Sequence, residues 1–169
     1  MTAITRAELE SAFQHYQATV EQAASTGDWT LFAGLFTEDV DYYEHVYGRM
    51  SGRAAVSTWA TRTMTRFPGN CMTGFPISWS MLDESRGWIV CEVQNPLRDP
   101  GDGSAHGAAN ITKLHYAGDN LFNYEEDAYN PANFLSAVIG WARVSDACGT
   151  LPEEGRAWLD AMAPGWKRD

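Results

Sequence analysis

The chain has 169 residues, of which 44% are hydrophobic and 12% aromatic, and its net charge is −10. This length and composition are typical of one domain with a sizeable core. The negative charge argues against a nucleic-acid partner, because phosphate binding needs clustered lysines and arginines. No apolar run approaches the roughly 20 residues that cross a bilayer, and residues 1–10 lack the layout of a signal peptide. We therefore expect one domain over residues 1–169 with no membrane or nucleic-acid partner.

The cysteines and histidines argue against disulfide and metal chemistry. The cysteines are widely spaced and form no CxxC pair: Cys71, Cys91 and Cys148. The histidines show no metal-ligand spacing either. These features favour a reducing, cytoplasmic location, and we expect neither a metal nor another cofactor.

Two helices are predicted near the N-terminus. The run Thr5-Arg6-Ala7-Glu8 is a capping box, because the threonine hydroxyl and the glutamate can bind the free amides at a helix start. The apolar face of this first helix follows at steps of three and four: Leu9, Ala12, Phe13, Tyr16, Val20, Ala23 and Ala24. Gly27 ends the helix, and Asp28 is placed to cap a second, shorter one. The apolar face of the second helix comprises Leu31, Phe32, Leu35 and Phe36.

A strand and a third helix are predicted next. Residues 40–47 alternate as a strand does, with Tyr42, Glu44 and Val46 on one face. Residues 48–52 are predicted to turn the chain. The third helix has the apolar face Val56, Trp59, Ala60, Thr63 and Phe67, and Pro68-Gly69 stops it.

The pattern then changes to a period of two, which predicts four antiparallel strands. These strands cover residues 75–82, 88–97, 108–116 and 121–129. Two further helices are predicted, one from Pro131 and one over residues 153–162. Helices grouped on one face of a curved antiparallel sheet make an α+β fold, and the mouth of such a sheet is a natural ligand pocket.

Three pieces of the sequence share a pattern with a known superfamily. They are Gly27-Asp28-Trp29 leading through Leu35-Phe36 to Glu38-Asp39-Val40; Gly52-Arg53-Ala54-Ala55-Val56; and Gly118-Asp119-Asn120-Leu121 leading to Glu126-Asp127-Ala128-Tyr129-Asn130. The chain resembles the NTF2-like superfamily over about residues 7–140, in particular its SnoaL-like, ketosteroid isomerase-like and limonene-epoxide-hydrolase-like members. The resemblance implies a cone-shaped, curved antiparallel or mixed sheet with N-terminal helices across its concave face. It also implies a C-terminal helical extension over 136–169 and a homodimer.

The resemblance further implies positions for catalytic groups. Glu44 falls where ketosteroid isomerases carry their general-base aspartate, and where the epoxide hydrolases have an asparagine that helps to hold the attacking water. Tyr42 matches the neighbouring tyrosine of the epoxide hydrolases, and Asp127 matches one carboxylate of their Asp-Arg-Asp set. The other two members of that set fall at Val93 and Asn95, so its arginine and second carboxylate are missing.

Two isomerase positions differ as well. The protonated acid of the isomerases falls near Thr112, which cannot play that part, and Tyr16 lies about one helical turn from their tyrosine. Neither specific reaction therefore transfers to this chain, whereas the scaffold and the carboxylate position at Glu44 do.

Glu44 is the first candidate catalytic group. A carboxylate beside Tyr42 and Val46 that faces an apolar interior loses hydration, so that its pKa rises and it can exchange a proton near neutral pH. The alternative is a partly exposed glutamate at a sheet edge, paired with an arginine. Asp127 could face Glu44 from the opposite wall as the second member of an acid and base pair, or it could belong to an ordinary acidic patch with its two neighbours.

We predict three catalytic and five substrate-binding residues. The catalytic residues are Glu44, Asp127 and Tyr42, and the substrate-binding residues are Tyr16, Asn95, Asn110, Val93 and Trp59. The amides of Asn95 and Asn110 could orient a substrate oxygen or only bind a nearby loop. Tyr16 could donate to a substrate oxygen or serve as core.

Three functions are compatible with these features. The first is a cofactor-independent enzyme of the isomerase, dehydratase, cyclase or epoxide hydrolase type, acting by general acid/base chemistry on a small hydrophobic terpenoid-, steroid- or polyketide-like substrate. The second is a non-catalytic module that binds a small ligand. The third is an association domain that dimerises through the outer sheet face around Trp79, Trp88 and Tyr124. A cavity with ionisable groups would favour the enzyme, an apolar pocket the binding module, and a filled cone the association domain.

Overall fold

Residues 4–167, which the computed structural model describes, form a six-stranded sheet and helices that precede, interrupt and follow it. The elements are α1 (Arg6–Thr26), α2 (Thr30–Ala33), β1 (Phe36–Glu44), β2 (Gly48–Ser51), α3 (Arg53–Met64), β3 (Ile77–Asp83), β4 (Trp88–Pro96), β5 (Gly107–Gly118), β6 (Leu121–Ala128), α4 (Pro131–Cys148) and α5 (Glu153–Met162). A short 3-10 helix, Gly69–Cys71, lies between α3 and β3. None of the helices in this part of the chain has the length and apolar character that crossing a membrane requires.

The strands are ordered β2-β1-β6-β5-β4-β3. The neighbouring strands β1 and β6 are parallel, and every other neighbouring pair is antiparallel, so that the curved sheet is mixed. The N-terminal helices cover its concave face, and α4 and α5 add helices beyond β6. The predicted α+β class and its NTF2-like arrangement are therefore confirmed.

Helix α1 follows the sequence prediction closely. The Thr5 hydroxyl accepts a hydrogen bond from the amide of Glu8 at 3.2 Å, and Gly27 ends the helix with a φ of 74°, a conformation that glycine adopts without steric cost. The predicted apolar face is buried against the sheet. One member of that face, Tyr16, carries a hydroxyl and therefore brings a polar group into the interior.

The prediction for the segment around residues 35–47 is wrong in its boundaries. Helix α2 ends at Ala33, and β1 already begins at Phe36, because the carbonyl of Leu35 accepts the amide of Phe122 at 2.9 Å and draws the chain into the sheet. The strand ends at Glu44 and not at residue 47. Val46, predicted to share a strand face with Glu44, therefore lies in a turn and is 52% exposed.

Two further predicted elements need correction. Residues 48–51 are not part of a turn but form strand β2, which pairs antiparallel with β1 and so extends the sheet. Helix α3 ends at Met64, and Phe67 lies beyond it in a second apolar cluster with Trp141 and Leu159. That cluster holds α4 and α5 beside the open end of the sheet, because side chains of both helices are buried in it.

Candidate active site

A cavity of about 720 Å³ lies between the concave face of the sheet and the helices. Its walls are mainly apolar and aromatic, and include Phe32, Trp59, Phe75, Val93, Phe134 and Trp158. Helices α4 and α5 contribute Phe134 and Trp158, so that the C-terminal helices form part of the enclosure. A cavity of this size and lining suits a small organic molecule.

The polar groups of the cavity come from alternate positions of neighbouring strands. In the register of β1 with β6, Tyr42 is opposite Glu125 and Glu44 is opposite Asp127. In the register of β5 with β6, Thr112 is opposite Asp127. Because side chains two residues apart share a face, all five groups point into the same hollow.

Asp127 is held by three hydrogen-bond donors. Its Oδ2 accepts the hydroxyl of Tyr42 at 2.5 Å, and its Oδ1 accepts the hydroxyl of Thr112 at 2.5 Å and the amide of Asn110 at 3.0 Å. Burial raises the pKa of Asp127 to about 6, although the bonds from Thr112 and Tyr42 oppose this rise. The side chain retains some accessible surface because it faces the cavity.

Glu125 lies deeper than Asp127 and is only 2% exposed. The hydroxyl of Tyr16 lies 3.0 and 3.1 Å from its two oxygens, and the hydroxyl of Tyr42 lies 3.2 Å from Oε1. Burial, and then the charge of Asp127, raise the pKa of Glu125 well above its ordinary value. Burial also raises the pKa of both tyrosines, so that they remain protonated donors.

Glu44 is inward-facing and 4% exposed, and its carboxylate is bound within the turn that follows β1. Its Oε2 accepts the amide of Val46 at 2.7 Å and the amide of Tyr47 at 2.5 Å, and Tyr129 donates its hydroxyl to Oε1. Within residues 4–167, no lysine or arginine forms an ion pair with Glu44. The edge ion pair considered from the sequence is therefore not found in this part of the chain.

The structure brings all eight sequence-predicted site residues to one cavity. The amide of Asn95 donates to Asn110 at 2.8 Å, and Asn110 in turn donates to Asp127. The ring of Trp59 packs on that of Tyr42 at a centroid distance of 5.1 Å. Their roles in catalysis or binding stay predictions.

Sequence reasoning missed two members of the site, Glu125 and Tyr129. Both lie two residues from Asp127, on the same face of the alternating pattern, and this alternation could have predicted that they belong to the site. The run Glu125-Glu126-Asp127 nevertheless resembles a solvated acidic face. The structure separates its members: Glu125 is buried, whereas Glu126 faces outward and pairs with Lys113 and His45. In the described residues, no group of three or more histidine, cysteine, aspartate or glutamate side chains could hold a metal ion.

The fold and its enclosed pocket define a protein of the NTF2-like class. The family profile described as the SnoaL-like domain matches residues 5–128. The chain therefore belongs to the SnoaL-like domain family. Among curated proteins, no sequence matches the chain.

Several solved structures share this fold. A hypothetical protein from Catenulispora acidiphila with a ketosteroid isomerase-like fold, in complex with trimethylamine, has 19% identity and a TM-score of 0.57, over 79% of this chain and 93% of that one. A putative polyketide cyclase from Xanthomonas campestris has 16% identity and a TM-score of 0.56, over 78% and 97%. An LEH-like epoxide hydrolase from M. tuberculosis has 13% identity and a TM-score of 0.55, over 78% and 89%. At these identities the likeness establishes the shared fold alone.

Proposed function

We propose that this protein is an enzyme that binds a small hydrophobic molecule in the cavity and moves protons with Asp127. The observation that carries the proposal is the coupling of two enclosed carboxylates, Glu125 and Asp127, through the hydroxyl of Tyr42. A pKa of about 6 leaves Asp127 mostly ionised at neutral pH yet able to accept and return a proton. Burial, and then the charge of Asp127, raise the pKa of Glu125, which leaves Asp127 as the member of the pair that acts as the base.

Hydrogen bonds connect Asp127 to Glu125 through Tyr42. Burial, and then the charge of Asp127, raise the pKa of Glu125, which favours its protonated form. Tyr16 donates to Glu125, and the hydroxyl of Tyr42 lies within reach of both carboxyl groups but makes its shorter hydrogen bond to Asp127. This arrangement supports Asp127 as the ionised member of the pair, facing the cavity.

Asp127 would act as the base. Its carboxylate would take a proton from a carbon next to a carbonyl group, or from a hydroxyl or water, and would return that proton at a second position. Glu44 lies on the adjacent strand opposite Asp127 and is a further carboxylate of the site, with a hydrogen bond from the hydroxyl of Tyr129. Tyr42 orients Asp127. Such proton movement supports isomerisation, dehydration, cyclisation or epoxide opening without a bond between enzyme and substrate.

The substrate class follows from the cavity walls. Aromatic and aliphatic side chains surround a space of about 720 Å³, which favours an apolar ring system of the terpenoid, steroid or polyketide kind. Asn95 and Asn110, next to Asp127, would bind a polar substituent, and Val93, Trp59 and Tyr16 would contact the apolar body.

The test is deuterium exchange in D2O with a panel of enones, hydroxy-ketones and epoxides, followed by NMR. We expect the wild type to catalyse exchange or conversion of a panel member, and D127N to lose roughly 100-fold or more of that rate. E44Q should also lose activity, whereas D83N, which changes a surface carboxylate, should not. Activity of D127N equal to that of the wild type would refute the proposal.

A second candidate is a binding protein that catalyses no reaction. The hydrogen bonding favours this candidate, because both oxygens of Glu44 and both oxygens of Asp127 already accept hydrogen bonds from protein groups. Such a protein would bind panel compounds with the same affinity in wild type and E44Q, and would show no deuterium exchange with any of them.

We further propose that the protein is a cytoplasmic homodimer that associates through its outer sheet face. On that face Trp79 is 42% exposed, and Trp88, His115 and Tyr124 stack with centroid distances of 4.5 and 4.4 Å. Analytical ultracentrifugation of the wild type and W79K tests this, since a charge on this exposed aromatic face would produce monomers. The free thiols of Cys71 and Cys91 are consistent with a reducing compartment.

A further inference from the structure

The cavity differs in charge between its inner end and its mouth. The inner end holds the carboxyl groups of Glu44, Glu125 and Asp127, all on the sheet. Arg62, in the last turn of α3, and Arg66, just beyond that helix, also line the cavity but are exposed to solvent. The solvent-exposed side of the cavity therefore carries two guanidinium groups, whereas the carboxyl groups lie on the side of the sheet.

These two arginines have no carboxylate partner among residues 4–167. Arg98 instead lies over the ring of Trp141 at 5.7 Å, and five other arginines of the described chain have a carboxylate within 2.9 Å: Arg6, Arg49, Arg53, Arg86 and Arg156. The contrast is informative in a protein of net charge −10, where acidic side chains are abundant. Arg62 and Arg66 keep their donors available at the mouth of the pocket.

We propose that the substrate is an apolar molecule with an anionic group, a carboxylate, at the end opposite its reacting end. This inference rests on the proposed function in taking the cavity as the substrate site. Guanidinium groups bind carboxylates through paired N–H donors, and like charges repel an anion from the inner end. The two ends together fix the orientation: the carboxylate stays at Arg62 and Arg66, and the opposite end reaches Asp127.

The simpler role for Arg62 is structural, because a cation in the last turn of a helix interacts favourably with the helix dipole. That role does not involve Arg66, which lies outside α3. It also predicts a change in thermal stability with no change in ligand preference. The two roles are therefore separable by measuring binding and melting temperature on the same variants.

The test uses two fluorescent probes with the same aromatic skeleton. One is 8-anilino-1-naphthalenesulfonate, which is anionic, and the other is N-phenyl-1-naphthylamine, which lacks the sulfonate. We expect the wild type to bind the anionic probe more tightly, and the neutral probe to displace it. The double variant R62Q/R66Q should bind the anionic probe about fivefold to tenfold more weakly, with an unchanged Kd for the neutral probe. High salt should reduce the difference.

The control is R6Q/R49Q, which changes the net charge equally but alters arginines away from the cavity. It should leave both Kd values unchanged. The inference is overturned if the wild type binds the neutral probe as tightly as the anionic one, if R62Q/R66Q weakens both probes equally, or if the control has the same effect. These binding measurements need no turnover, so that full activity of D127N would refute the proposed function, whereas an absent preference for the anionic probe would overturn only this inference.

Discussion

Across the parallel pairing of β1 with β6, the hydroxyl of Tyr42 lies 2.5 Å from Oδ2 of Asp127. The same hydroxyl is 3.2 Å from Glu125, so that one side chain links two carboxyl groups that would repel each other if both were ionised. The link lets one of them keep its proton while the other is the base. The first three predictions below depend on this difference between the two carboxyl groups.

The first prediction concerns Tyr42. Y42F removes the donor that stabilises the ionised form of Asp127, so the pKa of Asp127 should rise above about 6. The acidic limb of the activity profile should move to higher pH, and the free energy of unfolding should fall by about 2 kcal/mol. Kinetics and urea denaturation over a range of pH measure both effects. Y43F, which alters the outward-facing neighbour on the same strand, is the control, and an unmoved acidic limb in Y42F would contradict the assignment.

The second prediction concerns stability and pH. The pKa of Asp127 is raised from 3.8 to about 6 in the folded protein. Its contribution to the free energy of unfolding is therefore complete at low pH and is lost as the pH rises through this range. The loss should be about 3 kcal/mol, and Glu125, whose pKa is also raised, should add to it.

Urea denaturation between pH 4 and 8 measures this dependence, and D127N should reduce its slope. D83N provides the control. The pKa of Asp83 is lowered from its ordinary 3.8, mainly by hydrogen bonds from Ser85 and Arg86, so that Asp83 titrates below this pH range and D83N should leave the slope unchanged. A wild-type stability that increases steadily from pH 4 to 6 would contradict the raised pKa of Asp127.

The third prediction separates Glu125 from Asp127. Burial raises the pKa of Glu125 well above its ordinary value, which favours the neutral acid, and E125Q supplies a neutral group of the same shape. We expect E125Q to keep its fold and most of its activity, within about threefold, whereas D127N loses activity. E125A should instead lower the free energy of unfolding by about 2–4 kcal/mol, since it opens a buried void and leaves the hydroxyl of Tyr16 without its hydrogen-bond acceptor. Inactivity of folded E125Q would assign the ionised role to Glu125.

The fourth prediction concerns the cavity wall beyond α3. A Cβ on Gly69 would lie 2.3 Å from the carbonyl oxygen of Thr63, which is backbone and cannot move aside cheaply. G69A should therefore lower the free energy of unfolding by more than about 2 kcal/mol. G74A is the matched control, because nothing lies within 4 Å of its added Cβ. Equal melting temperatures for the two variants would show that the wall can shift.

Local patterns in the sequence account for most of the elements. The cap at Thr5, the glycine at position 27 and Pro131 at the start of α4 mark helix ends that the structure confirms. The alternation of residues along β4, β5 and β6 identifies which side chains share a face. These signals are reliable because each depends on backbone geometry within a few neighbouring residues.

The sequence by itself therefore determined the α+β class and which side chains share a strand face, but it left open whether Glu44 and Asp127 point inward. Only the tertiary structure decided that residues 48–51 join the sheet and that Glu125 is a member of the site. It also decided that Tyr42 bonds to Asp127, which lies 85 residues away along the chain. The physical reason is that such contacts depend on strand register and on the parallel pairing of β1 with β6, which side-chain alternation within one strand does not specify.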